Sequence, residues 1–255
     1  MSAAQIRFAA LLRRELSRFL KIKRQTIGAP LLETFLYISV FGAALGSRID
    51  ELDGIDYVVF IVPGLIMMAW AINAFSNNAA SILQQKFQRA IDDQLSSPAS
   101  PAELLLAFSF GGFLRGMLVA VLTFTAASLL VGIPIEHPLV LAPALFLVGF
   151  FFSQLGVLVG IRAEQFDDLS FAQQFVLQPL IFLGGVFYTA SLLPEPFETL
   201  THLNPVYYMI SLVRYGFLGI TDTNIAVSLG LLTVATAGMF LINLRLFTTG
   251  YRLRA

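Results

Sequence analysis

Ala3-Ala4-Gln5-Ile6-Arg7-Phe8-Ala9-Ala10-Leu11-Leu12-Arg13-Arg14-Glu15-Leu16-Ser17-Arg18-Phe19-Leu20-Lys21-Ile22-Lys23-Arg24 leads almost directly into an apolar stretch long enough to cross a bilayer. Ile6, Ala9, Leu12, Leu16, Phe19 and Leu20 recur at helical spacing, while Arg7, Arg14, Arg18 and Lys21 share the opposite face. A basic amphipathic helix of this kind lies flat on an anionic membrane surface. The junction predicts an integral membrane protein that presents an interfacial helix, and so a docking platform, to the cytoplasm.

Composition agrees. Hydrophobic residues make up 57% of the 255 and charged ones 13%, with mean hydropathy +0.78. Soluble domains run at about 45–50% apolar and about 25% charged. At about 20 residues per span, five to seven helices fit and little is left for a soluble domain. The chain has no cysteine, which excludes disulfides, thiolate metal sites and covalent haem attachment. The small residues Gly42, Ala43 and Ala44 resemble a signal-peptide cleavage site, but the long basic helix before them is unlike a signal n-region, so the segment is expected to be retained.

Six spans are expected, at Pro30–Gly46, Tyr57–Phe75, Leu104–Val131, Leu139–Ile161, Phe171–Ala190 and Ile225–Phe247. With the N-terminus inside, thirteen of the 16 Lys and Arg residues fall on the inner side. Only Arg48 and Arg214 fall outside, and Arg115 lies within a span. That bias predicts both termini in the cytoplasm.

Two connections carry structure of their own. Between the second and third spans, Leu83, Phe87, Ala90, Ile91 and Leu95 mark one face of a helix over Gln84–Leu95, and Ser96-Ser97-Pro98 breaks it. Ser100-Pro101-Ala102-Glu103 restarts helix with a capping box. By pattern alone this elbow suits either an interfacial helix or a lever moved by a soluble partner. After the fifth span, Leu192–Leu203 precedes an Asn204-Pro205 start signal, and the helix that follows carries Tyr207, Tyr208, Tyr215 and Phe217. It is too short to span, so a re-entrant or interfacial hairpin at the outer boundary is expected, either as a lid or as a structural cover.

Several chemistries are missing. No phosphate-binding G-x-x-x-x-G-K-[ST] occurs and no HExxH. His137 and His202 fall in expected outer loops, which disfavours a haem or quinone subunit. Asp50, Glu51, Asp53 and Asp56 lack calcium-loop spacing and read as a solvated turn. Apart from Arg245 at the inner end of the sixth, only Glu33 and Arg115 are charged within spans. Each costs roughly 2.5–3.5 kcal/mol to insert unpaired, so each should face protein or water. They either pair, or Glu33 reaches the surface while Arg115 snorkels from a groove. A proton-coupled carrier usually carries more such carboxylates and a repeat, and neither is visible.

The stretch Leu203-Asn204-Pro205-Val206-Tyr207-Tyr208-Met209-Ile210-Ser211-Leu212-Val213-Arg214-Tyr215-Gly216-Phe217-Leu218-Gly219 resembles the signature of type-2 ABC exporter permeases. Phe60-Ile61-Val62-Pro63-Gly64-Leu65-Ile66-Met67-Met68, Lys86-Phe87-Gln88-Arg89, Phe166-Asp167-Asp168 and Leu183-Gly184-Gly185-Val186-Phe187-Tyr188 are similar, in the same order, to YadH-like members. The family spans drug, nodulation-factor and polysaccharide exporters, so the resemblance names no cargo.

The resemblance implies an all-α integral membrane fold. An interface helix at 1–29 would precede a six-span transmembrane domain at 30–255, with a cytoplasmic coupling helix and an outer hairpin. It implies a homodimer working among membrane lipids with two copies of a soluble ABC ATPase. No cofactor would be held on this chain, ATP and Mg would be held by the partner, and no nucleic acid is involved. The coupling role falls on Phe87, Arg89, Asp92 and Asp93, and an outer gate on Asn204, Pro205, Tyr207 and Tyr208. The remaining alternatives are a secondary carrier and a non-transport polytopic membrane subunit.

Overall fold

The computed structural model describes residues 3–21, 24–44, 51–52 and 54–253. Its helices are α1 (Ala3–Lys21), α2 (Ala29–Ala44), α3 (Tyr57–Phe87), α4 (Ala90–Leu95), α5 (Pro101–Val131), α6 (Pro138–Arg162), α7 (Phe166–Phe171), α8 (Gln178–Leu183), α9 (Phe197–Leu203), α10 (Pro205–Leu218) and α11 (Ile225–Thr249). Wider π-type turns over Arg24–Gly28 and Ala172–Leu177 lead into α2 and α8. A two-stranded ribbon, Glu51–Leu52 against Ile55–Asp56, precedes α3. Arg48, Asp50 and Asp53 of the expected first outer loop, and Gly46 at the expected end of the first span, lie outside the described residues.

Among the described residues four helices are long and apolar enough to cross a bilayer: α3, α5, α6 and α11. The first expected span is the shorter α2, of 16 residues. The fifth is helical from Phe166 but ends at Leu183 rather than Ala190. The stop has a physical cause. The last carbonyls of α8 accept side-chain hydrogen bonds, Leu180 from Asn204 at 2.6 Å, Phe182 from Tyr188 at 3.1 Å and Leu183 from Thr201 at 3.2 Å. With these groups satisfied, the chain turns away through Gly185 at φ 87°.

α3 is the hub. In its most apolar stretch 72% of the residues are buried, against 17% in α11 at the periphery. Lipid tails are as apolar as leucine, so burial alone does not hold such helices together, and close backbone packing must. Glycines on α6 supply it. A Cβ on Gly156 would lie 2.3 Å from the Phe75 carbonyl oxygen, and one on Gly160 would lie 2.9 Å from that of Ala79. On α5, a Cβ at Gly116 would fall 2.8 Å from the Trp70 oxygen. α3 is thereby clasped between α5 and α6, and α10 closes the end of α3 opposite the elbow.

α1 packs along α5 on a face that takes in only part of the periodic apolar stripe. Ile6, Ala9 and Leu20 are exposed, whereas Phe19 and the charged Glu15 are buried at 3%. Arg7 reaches Glu103 at the start of α5, at 3.0 Å. α1 also holds the protein with its charges, because polar groups on α3 and α5 meet them, and it leaves Ile6, Ala9 and Leu20 turned outward.

Candidate functional site

The elbow begins where α3 ends. The Gln88 amide still bonds to the Gln84 carbonyl, then Arg89 takes a left-handed conformation at φ 55° and α4 starts. The break therefore falls at Gln88–Arg89, inside the expected Gln84–Leu95 helix, as well as at Ser96-Ser97-Pro98. Asp92 and Asp93 occupy the first turn of α4, where carboxylates complement the helix dipole. Ile91, 1% exposed, anchors α4 in a cluster with Ile82, Leu105, Phe108, Val157 and Ile161. Gln94 donates to the Gln85 side chain and to the Ala90 carbonyl. Ser100 and Glu103 form the expected capping box at the head of α5. The elbow is rigid, and it leaves Phe87, Arg89 and Asp93 exposed with Asp92 half-buried. The turn at Arg89 leaves Phe87 at the end of α3 and carries Ala90, Ile91 and Leu95, which share its face in the sequence, away on α4. At 58% exposure it stacks instead on Phe166, with ring centroids 5.6 Å apart.

At the opposite end, Asn204 caps α10 by accepting from the Val206 amide at 3.0 Å, and Pro205 fills the first turn. Tyr207 is buried at 1%. Tyr208 is half-buried and donates to the His202 carbonyl at 3.0 Å. The four residues expected at an outer gate are thus brought together, with Asn204 bridging α10 to α8. Arg214, counted among the outer-side cations, is buried, with 2% exposed. Its guanidinium donates to the Gly185 carbonyl at 2.5 Å, lies 4.0 Å from the Phe60 ring centroid and faces Asp222 at 3.8 Å. The position of Asp222 eight residues along was the only hint in the sequence.

Glu33 and Arg115 form no ion pair. Glu33 is exposed while its neighbour Thr34 meets Thr123 of α5 at 3.3 Å, and the Arg115 Nε is buried with no hydrogen-bond partner.

Sequence reading misses the most extensive feature, a polar belt through the helices near the elbow. The Glu15 carboxylate accepts from Ser81 at 2.7 Å, Gln85 at 3.1 Å and Arg18 at 3.4 Å. Arg18 also donates to the Asn77 side chain at 2.7 Å, and burial lowers its pKa from the ordinary arginine value. Asn77 donates to Asn78, which donates to Ser153 at 2.7 Å. Ser153 donates to the Ser109 carbonyl at 2.6 Å, Gln154 to the Ser109 hydroxyl at 2.7 Å, and Asn243 to Gln154 at 2.7 Å. One hydrogen-bonded chain thereby joins α1, α3, α5, α6 and α11, and through Gln85 and Gln94 it reaches α4. The signal for it was Asn77-Asn78, Ser153-Gln154 and Asn243 inside apolar runs, where an unsatisfied polar group costs several kcal/mol, on the order of 2–7.

Among the described residues no group of three or more His, Asp and Glu is placed to hold a metal ion. The arrangement offers a rigid exposed elbow, a polar belt behind it and a capped hairpin at the far end.

Comparison with known proteins fits that description. The ABC-2 type transporter family profile matches residues 6–218. The inner membrane transport permease YadH of Escherichia coli (strain K12) is 40% identical over 242 residues, covering 95% of this chain and 94% of the relative. Nodulation protein J of Sinorhizobium fredii is 25% identical over 238 residues, covering 93% and 91%. Nodulation protein J of Rhizobium leguminosarum bv. viciae is 24% identical over 253 residues, covering 95% and 94%. A helical membrane protein matched along nearly its whole length, this chain belongs to the ABC-2 type transporter family as a permease subunit.

Proposed function

We propose that this chain is the inner-membrane half of an ATP-driven exporter. It pairs with a second copy and with two soluble ABC ATPase subunits, which hold ATP and Mg. In this reading α2 and the α7–α8 segment complete six spans, both termini are cytoplasmic and the dimer interface encloses the path. ATP-driven closure of the partners draws the two elbows together and turns the path outward. The observation that carries the reading is the elbow: Phe87, Arg89 and Asp93 are exposed on a segment pinned by Ile91, Gln94 and the Ser100 capping box. A segment so held transmits a push instead of absorbing it.

A lipid-like, amphipathic or glycan cargo suits the family. An apolar cavity of about 170 Å³ between Ile66, Trp70, Val121, Phe124, Leu145 and Phe217 supports the apolar part. The experiment is co-purification of the chain with a soluble P-loop ATPase in nanodiscs. The F87A/R89E variant should insert normally and lose most of the ATPase, since truncating one buried anchor costs about 2 kcal/mol. Full retention by that variant would remove the coupling role from the elbow.

A further inference from the structure

The proposed coupling surface has so far come from one connection. A second connection, between α6 and α7, meets it. Lys86, the last cation of α3, donates its ammonium to the carbonyls of Ile161 at 2.9 Å and Ala163 at 2.7 Å. These are carbonyls at the C-terminal end of α6, where a cation is favoured by the helix dipole. Arg252, beyond α11, donates to the neighbouring Arg162 carbonyl at 3.3 Å and pairs with Glu164 at 3.5 Å. The loop that follows is stiffened by Asp168, whose carboxylate accepts from the Glu164 and Gln165 amides at 2.8 and 3.0 Å. Between these fixed points Phe166 is 52% exposed and stacks on Phe87. The two rings, with Gln84 and Gln88, line an open hollow of about 460 Å³.

Two exposed, stacked phenylalanines on stiff backbone are the kind of anchor that interface cores use. Charge selects the occupant. Exposed Arg13, Arg14 and Lys21 mark α1 as the surface turned to anionic lipid. The Arg162–Asp168 segment carries three carboxylates against one arginine, and the Lys86–Leu95 elbow is balanced, so anionic headgroups gain nothing at Phe166.

We propose that Phe87 and Phe166 form one bipartite docking knob for the soluble ATPase, with Lys86 as the positioning residue that locks the two connections together. The matching surface on the partner is an apolar recess with a basic rim facing Asp167. The proposal rests on the ATPase-coupled reading above and deepens it. Both connections would then be displaced as one body when the partner moves.

The test uses full-length protein in nanodiscs and the P-loop ATPase that co-purifies with the wild-type chain. F166A should weaken ATPase binding about tenfold, as F87A does, while F166Y retains it. The double variant should lose less than the product of the two single effects, because the rings act together. K86M should weaken binding with both rings intact, and a photo-reactive phenylalanine analogue at 87 or at 166 should cross-link the same ATPase chain. Wild-type affinity in F166A, with F87A impaired, would overturn the bipartite knob and leave the single elbow. Cross-linking at 166 to lipid alone would make Phe166 a membrane anchor and overturn the proposal. Wild-type affinity in both F87A and F166A would overturn the knob and the elbow reading together.

Discussion

The Gly156→Ala substitution tests how the membrane core is held together. Its new Cβ would lie 2.3 Å from the Phe75 carbonyl oxygen and 3.0 Å from the Phe75 Cα. Carbon–oxygen contacts normally fall at about 3.3–3.6 Å, so α3 and α6 must part by about 1 Å. Backbone cannot rotate aside as a side chain can. A gap of that size forfeits about a quarter to a half of the dispersion energy along the seam, and overpacking of this kind costs about 1–3 kcal/mol. Alanine also gains about 0.8–1 kcal/mol of helix propensity over glycine, which must be subtracted. Gly230→Ala in α11 supplies the reference, because nothing lies within 4 Å of its Cβ. Propensity cancels between the two variants, leaving Gly156→Ala about 1–3 kcal/mol less stable. Trp70, the only tryptophan and 5% exposed, contacts α6 at Gly149 and reports the seam directly. Its fluorescence, followed through SDS titration from mixed micelles, gives both stabilities. Coincident transitions for the two variants would refute the backbone-contact seam.

Other predictions follow from the belt, the charge pattern and the hairpin. Glu15→Ala strands Arg18, Ser81 and Gln85 and should cost about 3–5 kcal/mol, whereas Glu15→Gln keeps the shape and should cost clearly less. Equal losses in the same titration would mean the carboxylate has no special part. Tags at both termini and at Gln94 should be reachable only from the cytoplasm, and tags at Gly54 and Glu198 only from outside. Termini on opposite sides would remove the six-span reading. For the hairpin, the chain has no native thiol, so a Tyr208→Cys variant carries a single one. Cross-linking between dimer copies should weaken when the ATPase is trapped with ATP, and a permanent link should block transport. Unchanged cross-linking with transport intact would make the hairpin a static cover.

The class of solvent, the helical elements and the caps can be read from the chain alone. The bilayer imposes length and hydropathy locally, so the helix cores of α3, α5, α6 and α11 were legible as runs. The Ser100 and Asn204 caps were legible because capping is a contact between near neighbours in the chain. The elbow residues were legible by position. Their geometry was not, because the Phe87–Phe166 stack and the Lys86 bonds to the end of α6 are contacts between segments far apart in the chain.

Which polar groups meet emerges only once the helices are packed. The helical pattern assigns no role to Glu15 and places Arg214 only on the outer side. Both are buried, because each is matched by donors or acceptors from segments far away in the chain. The same holds for Phe166, whose role depends on a ring 79 residues earlier in the chain. Periodicity records which face of a helix is apolar. It holds no record of the distant partner that makes burying a charge affordable, and in a membrane that partner decides where a charge can go.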